Sequence, residues 1–213
     1  MAYATGGSLL VREEYLLFAE CLRNAREDMP ADSMQGALLL GQLAIGKSYF
    51  LLFFLIQCIA RQETVLFTSC SGQTYLFDQA GVVQMATVDV DPELHLPPFT
   101  DAASRVWSLV DCPEGKNPIP SHLTYGARSL FCVAALSPDR SRYKAAEKEP
   151  VRLWWMSTWT DDELLALLRS VPVTELAQKQ RERYPTFDAD AIRTLCSAVG
   201  PCPGDILRFL TDP

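Results

Sequence analysis

Residues 36–69 read GALLLGQLAIGKSYFLLFFLIQCIARQETVLFTS, and their order decides the fold expected of the whole chain. The run GALLL, residues 36–40, is short and apolar and meets a glycine, which suits a buried strand. Residues 49–61 are apolar on most sides and helical in length and composition. TVLFTS, residues 64–69, is β-branched and aromatic, and is expected to be a second strand. Between the first strand and the helix, Gly41-Gln42-Leu43-Ala44-Ile45-Gly46-Lys47-Ser48 satisfies G-x-x-x-x-G-K-[ST] at every fixed position. Gly41 and Gly46 allow backbone angles and close approaches that a Cβ would block. The amides of Ala44, Ile45, Gly46, Lys47, Ser48 and Tyr49 can converge on phosphate oxygens at the start of the helix. Lys47 brings a cation to the β- and γ-phosphates, and Ser48 offers a hydroxyl to Mg²⁺.

A magnesium site of this kind needs an acid at the end of a neighbouring apolar strand. Residues 105–111, RVWSLVD, form such a run and close on Asp111, which is expected to share the metal with Ser48; an acid capping the loop that follows is the other reading. The glutamate that often follows this acid and orients water is replaced by Cys112. Glu114 is the nearest glutamate, either a catalytic residue or a solvated loop acid. Residues 129–137, SLFCVAALS, read as another buried strand ending in Ser137. Ser137 is placed either to touch the γ-phosphate or attacking water, or simply to end the strand. Arg128, Arg140 and Arg142 lie in loops near the expected phosphate edge, as solvated cations or as an arginine finger.

Working outward, residues 9–28 predict a helix whose apolar face carries Tyr15, Phe18, Cys21, Leu22 and Ala25, with Arg23 among the polar residues. Residues 74–77 and 82–88 predict a hairpin around Asp78-Gln79-Ala80-Gly81. Residues 89–104 and 112–121 are loop by proline and acid content, and 139–150 is charged and exposed. Residues 151–156, VRLWWM, predict a fifth core strand, with Trp154, Trp155 and Trp159 packing as an aromatic cluster. Thr160-Asp161-Asp162-Glu163 matches the helix capping box, and helices are expected over 174–183, 188–199 and 205–210. The expected architecture is α/β: a P-loop NTPase of three α/β/α layers with a mainly parallel five-stranded sheet of the additional-strand type, an inserted β-hairpin and a small C-terminal helical lid. Its expected divisions are an N-terminal helix packing on the core (1–35), the P-loop core (36–159) and the lid (160–213).

Composition agrees and excludes alternatives. The chain has 213 residues, 48% hydrophobic and 21% charged, a size and balance fit for one globular domain with a sizeable core. Nineteen Lys and Arg against 26 Asp and Glu leave a net charge of −7, which argues against general binding to nucleic-acid backbones. Seven cysteines carry no CxxC pair, and the two histidines, His95 and His122, have no ligand spacing; a structural zinc site is not expected. Reduced, mostly buried thiols point to a reducing compartment, cytoplasm or nucleus. The longest apolar run, residues 49–56, falls short of the ~20 residues a membrane-spanning helix needs, and residues 1–10 show no export signal.

These motifs, in this order, resemble the ATPase domain shared by the Crinkler effectors and the retrotransposon hot spot proteins. Residues 41–67 are similar to its GIGKS loop, aromatic-rich helix and TVLF-like strand. TYLFDQAG (74–81) resembles its tyrosine-rich hairpin, WSLVDCPEG (107–115) its acid-bearing strand, SPDRSRYKAAEK (137–148) its Ser-Pro segment, and MSTWTDDELL (156–165) its M-P-x-W-x-x-E-E-L run. The likeness covers about residues 36–210. Where the family has Gly-Gly-x-Pro-Arg at its lid, this chain reads VGPCPGD (199–205), with Gly204 at the arginine position and Arg208 one turn further on. The family's N-terminal header and C-terminal effector domain have no counterpart, so the resemblance implies the ATPase module alone. It also implies a secreted effector that reaches host nuclei, or a transposon-related nuclear protein.

The expected activity is binding of a nucleoside triphosphate with Mg²⁺-dependent hydrolysis, Lys47, Asp111, Glu114 and Ser137 carrying the chemistry. ATP is favoured, since no Asn-Lys-x-Asp guanine motif occurs. The alternative is a nucleotide-dependent switch or oligomerisation module with little turnover. Its partners would be a second copy or another protein, with no membrane contact.

Overall fold

The computed structural model describes residues 9–28, 36–85, 106–112, 130–144, 150–172 and 175–212. Within them the chain is an α/β protein with a seven-stranded mixed sheet and seven helices. In order these are α1 (Glu13–Asp28), β1 (Gly36–Leu40), α2 (Lys47–Ala60), β2 (Val65–Thr68), β3 (Thr74–Asp78), β4 (Gly81–Met85), β5 (Val106–Asp111), β6 (Leu130–Leu136), α3 (Arg140–Tyr143), β7 (Val151–Trp155), α4 (Asp161–Ser170), α5 (Gln178–Arg183), α6 (Ala189–Val199) and α7 (Pro203–Thr211).

The sheet order is β4-β3-β2-β5-β6-β1-β7. β2, β5, β6, β1 and β7 pair in parallel, whereas β3 and β4 run antiparallel. This corrects the expected mainly parallel five-stranded sheet. The hairpin does not stand aside from the sheet but extends it: β3 pairs with β2 along Val65–Thr68, satisfying an edge that would otherwise be open. Thr68 and Thr74 close that junction with a buried hydroxyl contact of 3.0 Å.

Burial of β1, of β6 and of Val106–Val110 in β5 explains their near-continuous apolar sequences. β7, expected to be equally covered, is an edge strand, and Trp155 is 55% exposed. The three tryptophans consequently have three settings rather than one: Trp154 lies against Phe18 with centroids 4.4 Å apart, Trp155 faces solvent, and Trp159 is buried.

On one face of the sheet, α2 sinks Phe50, Leu51, Phe53, Phe54, Leu55 and Cys58 into an apolar cluster that also holds Tyr15 and Phe18 of α1 and Leu164, Leu195 and Ile206 of the C-terminal helices. Each such large side chain contributes roughly 1.5–3 kcal/mol by leaving water. Trp107 meets Phe54 and Phe131 edge-on within it. On the other face, Leu38, Leu40, Val110, Ala134 and Tyr143 form a second cluster, so the stretch expected to be charged and exposed in fact contains a helical turn with a buried tyrosine.

Helix α1 is anchored at both ends. Tyr15 and Phe18 pack on Phe50, while Arg23 and Arg26 bind Glu63 at 2.8 and 3.3 Å just beyond α2. Cys21, expected on the apolar face, is exposed, and Arg23, expected outside, is buried because Glu63 pairs with it. The capping box of α4 forms as expected, Thr160 and Glu163 each bonding the other's backbone. Among the described residues no helix is long and apolar enough to cross a membrane.

Candidate functional site

The loop from Gly41 to Gly46 leaves the carboxyl end of β1 and enters α2 at Lys47, the end of an open α/β sheet where ligands characteristically bind. Ala44 and Gly46 turn it with φ of +60° and +112°. Gly46 is the N-cap of α2 and supplies no side-chain cap, and the first helical turn has no acidic residue. First-turn N–H groups lack intrahelical acceptors and carry the positive end of the helix dipole, so this terminus favours an anion. Only glycine fits position 46, since a Cβ there would meet the Tyr15 hydroxyl as well as strain the backbone.

Lys47 lies across the loop, its Nζ donating to the carbonyls of Gly41 at 2.8 Å and Gln42 at 2.6 Å. Ser48 Oγ donates to Asp111 Oδ1 at 2.9 Å. This contact joins residues 63 apart in sequence, Ser48 in the first turn of α2 and Asp111 at the end of β5, while β6 stands between β1 and β5 in the sheet. Burial pushes the Asp111 carboxyl above its usual range, opposed by the Ser48 hydrogen bond and the Lys47 charge. A half-buried acid held beside one exposed hydroxyl suits a further cation. The 2.9 Å between the two oxygens matches the edge of an Mg²⁺ octahedron, about 2.9 Å for ligand distances of about 2.0–2.1 Å. Among the described residues no group of three or more His, Cys, Asp or Glu side chains converges. Mg²⁺ ordinarily takes one or two protein oxygens and completes its shell with water and phosphate, so Ser48 and Asp111 fit this ion.

Other expected residues divide. Gly41 and Ile45 are buried in the loop, Ala44 is half-buried, and Tyr49 lies half-buried in the first turn of α2. Ser137 follows β6 and accepts from Arg142 Nη1 at 3.0 Å, so Arg142 holds the end of that strand. Arg140 is exposed. Glu114, Arg128, His95 and His122 lie outside the described residues. Cys112 continues the β5 ladder, donating its N–H to Ala135 O at 3.2 Å, and burial pushes its thiol up to about 12; it is no base near neutral pH. Arg208 is exposed and near Asp205 of its own helix at 3.9 Å.

Four contributors were not legible as site residues. Tyr15 Oη donates to Gly46 O at 2.8 Å, and Trp159 Nε1 donates to Ile45 O at 2.8 Å. Arg12, 4% exposed, bonds Glu163 at 2.9 and 3.2 Å and the carbonyls of Ser157 and Thr158, and lies over the Trp159 ring at 4.9 Å. Cys202, at the N-cap of α7, donates to Gln42 Oε1 at 3.1 Å. Helical periodicity marked Tyr15 as core and composition did the same for Trp159. A polar atom on each was the available signal, since buried Tyr and Trp usually find a partner. Arg12 and Cys202 carried no such signal.

The sequence matches no protein-family model and no curated protein.

Proposed function

We propose that this chain is a P-loop module that binds a nucleoside triphosphate, ATP in first place, with Mg²⁺ and hydrolyses it. The observation that carries the reading is the meeting of Ser48 and Asp111 beside an uncapped, acid-free helix N-terminus bearing Lys47. The strand order supports it too, because β6 separates the loop strand from the acid strand as the additional-strand reading requires.

In this reading the loop amides and Lys47 bind the phosphate tail. Lys47 exchanges its contacts with Gly41 O and Gln42 O for phosphate oxygens. Ser48 and Asp111 would hold Mg²⁺, which would supply charge neutralisation for the phosphate tail. Ser137 and Arg142 close the strand-end edge where the terminal phosphate would lie. Catalysis of this type is mostly positioning and charge neutralisation. The resemblance to the Crinkler and retrotransposon hot spot ATPase domain agrees with this proposal and carries with it an intracellular place of action.

A second reading, a nucleotide-dependent switch with little hydrolysis, is favoured by one observation. Cys112, and no glutamate, occupies the position after Asp111, so no carboxylate stands there to orient water. Phosphate release by wild type and by Lys47→Ala tests the first reading: turnover only in wild type supports it, and equal turnover removes it. A change of oligomeric state with ATP but not ADP, without phosphate release, selects the second.

A further inference from the structure

We propose that Tyr15 and Trp159 are positioning residues for anion binding, each turning one loop carbonyl into the protein so that the loop amides face a bound polyphosphate. This inference rests on the nucleotide reading above and names what pre-organises that site.

Ile45 and Gly46 are consecutive, and their two carbonyls are taken by two side-chain donors from opposite ends of the chain. A peptide unit is planar, so fixing the direction of a carbonyl fixes the next N–H in the opposite sense. Capturing Ile45 O sets the Gly46 N–H, and capturing Gly46 O sets the Lys47 N–H. Both belong to the set expected to face phosphate. Without the Trp159 donor the Ile45 carbonyl would lose this anchor and spend part of its time turned toward the anion, an arrangement that repels it. The bond to Gly46 O is shared: Phe50 N also donates there at 3.0 Å, the first turn of α2. Tyr15 thus adds a second donor and ties the helix start to α1.

Both donors are themselves held. Burial raises the Tyr15 hydroxyl well above its usual value, so it stays a donor through any working pH. Trp159 is fixed by the Arg12 guanidinium over its ring, and Arg12 in turn by Glu163, Glu14 and two carbonyls. Met156 N donates to Leu40 O at 2.8 Å, which keeps the strand leading to Trp159 against the strand leading into the loop. The loop's rear wall is therefore one connected unit drawn from Arg12, α1 and residues 156–163.

The test is calorimetric titration of the full chain with inorganic triphosphate and Mg²⁺. Wild type is compared with Tyr15→Phe, which loses only the hydroxyl, with Trp159→Phe, which keeps an aromatic ring but loses the N–H together with part of the ring volume, and with Leu195→Ala, a core truncation in α6 that controls for lost volume. Amide hydrogen exchange over residues 44–49 is followed in parallel. The expected result is about a fivefold weaker affinity in each donor variant, the scale of one buried hydrogen bond, with faster exchange in the loop. Leu195→Ala should lose thermal stability yet keep wild-type affinity. Wild-type affinity in both donor variants would overturn the proposal and leave the nucleotide reading standing. An equal loss in Leu195→Ala would also overturn it, since general destabilisation would then suffice. Absence of triphosphate binding by wild type would remove the nucleotide reading and the proposal together.

Discussion

Replacing Arg12 by methionine keeps most of the apolar stem and deletes the charge. Arg12 is 3% exposed at its side chain and faces Glu14 and Glu163, which are 16% and 24% exposed. Breaking one partner of a fully buried pair costs about 3–5 kcal/mol. Both carboxylates here reach some water, which puts the expected cost below that range, about 2–3 kcal/mol. For a chain of this size that is a fall in Tm of roughly 5–10 °C. The pH dependence carries the sharper signature. Burial alone would raise the Glu163 carboxyl, but the hydrogen bond from Arg12, the Thr160 N–H and the Arg12 charge together hold it below its usual range. A carboxylate lowered in the folded state contributes stability above its unfolded value, about 4.3, and loses it as pH falls through the lower folded value. Urea unfolding of wild type between pH 6 and about 3 should therefore show a stability loss that Arg12→Met has in smaller measure. Equal midpoints for the two proteins at pH 7, with parallel acid limbs, would refute the network as described.

Gly46→Ala places a side chain at φ +112° and against the Tyr15 hydroxyl; backbone strain of about 1–2 kcal/mol plus displacement of that hydroxyl should lower both Tm and triphosphate affinity, and an unchanged melting curve would contradict this. Asp111→Asn should weaken ATP binding at least about tenfold in Mg²⁺, the scale of a disturbed metal site, but little in EDTA; equal losses in both media would count against a shared metal with Ser48. In a native thiol titration near pH 8, exposed Cys21 and Cys70 should react first, while buried Cys58 and Cys132, both raised by burial, should wait for unfolding.

Much of the frame was legible because strong local signals agreed with the fold. The apolar runs of β1, β5 and β6 announced burial on both faces, and the glycine-bounded loop marked where β1 gives way to α2. Asp111 could be placed because an apolar run ended on it, and it does meet Ser48. The sheet's full width was not legible, because pairing of β3 with β2 depends on a long-range edge that periodicity does not encode. β7 reads as covered for a related reason: its apolar content matches that of a central strand, but among the described residues only β1 pairs with it. Arg23 looked like a surface charge until Glu63, 40 residues away, supplied its partner. The rear wall of the loop escaped for the same cause. Tyr15 and Trp159 were counted by their rings, whereas their effect on the site comes through single donor atoms meeting backbone carbonyls more than 30 residues distant.

The most direct measurement of the central claim is the affinity of wild type and Lys47→Ala for ATP in the presence of Mg²⁺, by equilibrium calorimetry. The account predicts one site in wild type and an affinity at least about tenfold weaker in the variant, the worth of a charge-assisted contact. No binding by wild type, or the same affinity in both proteins, would contradict it.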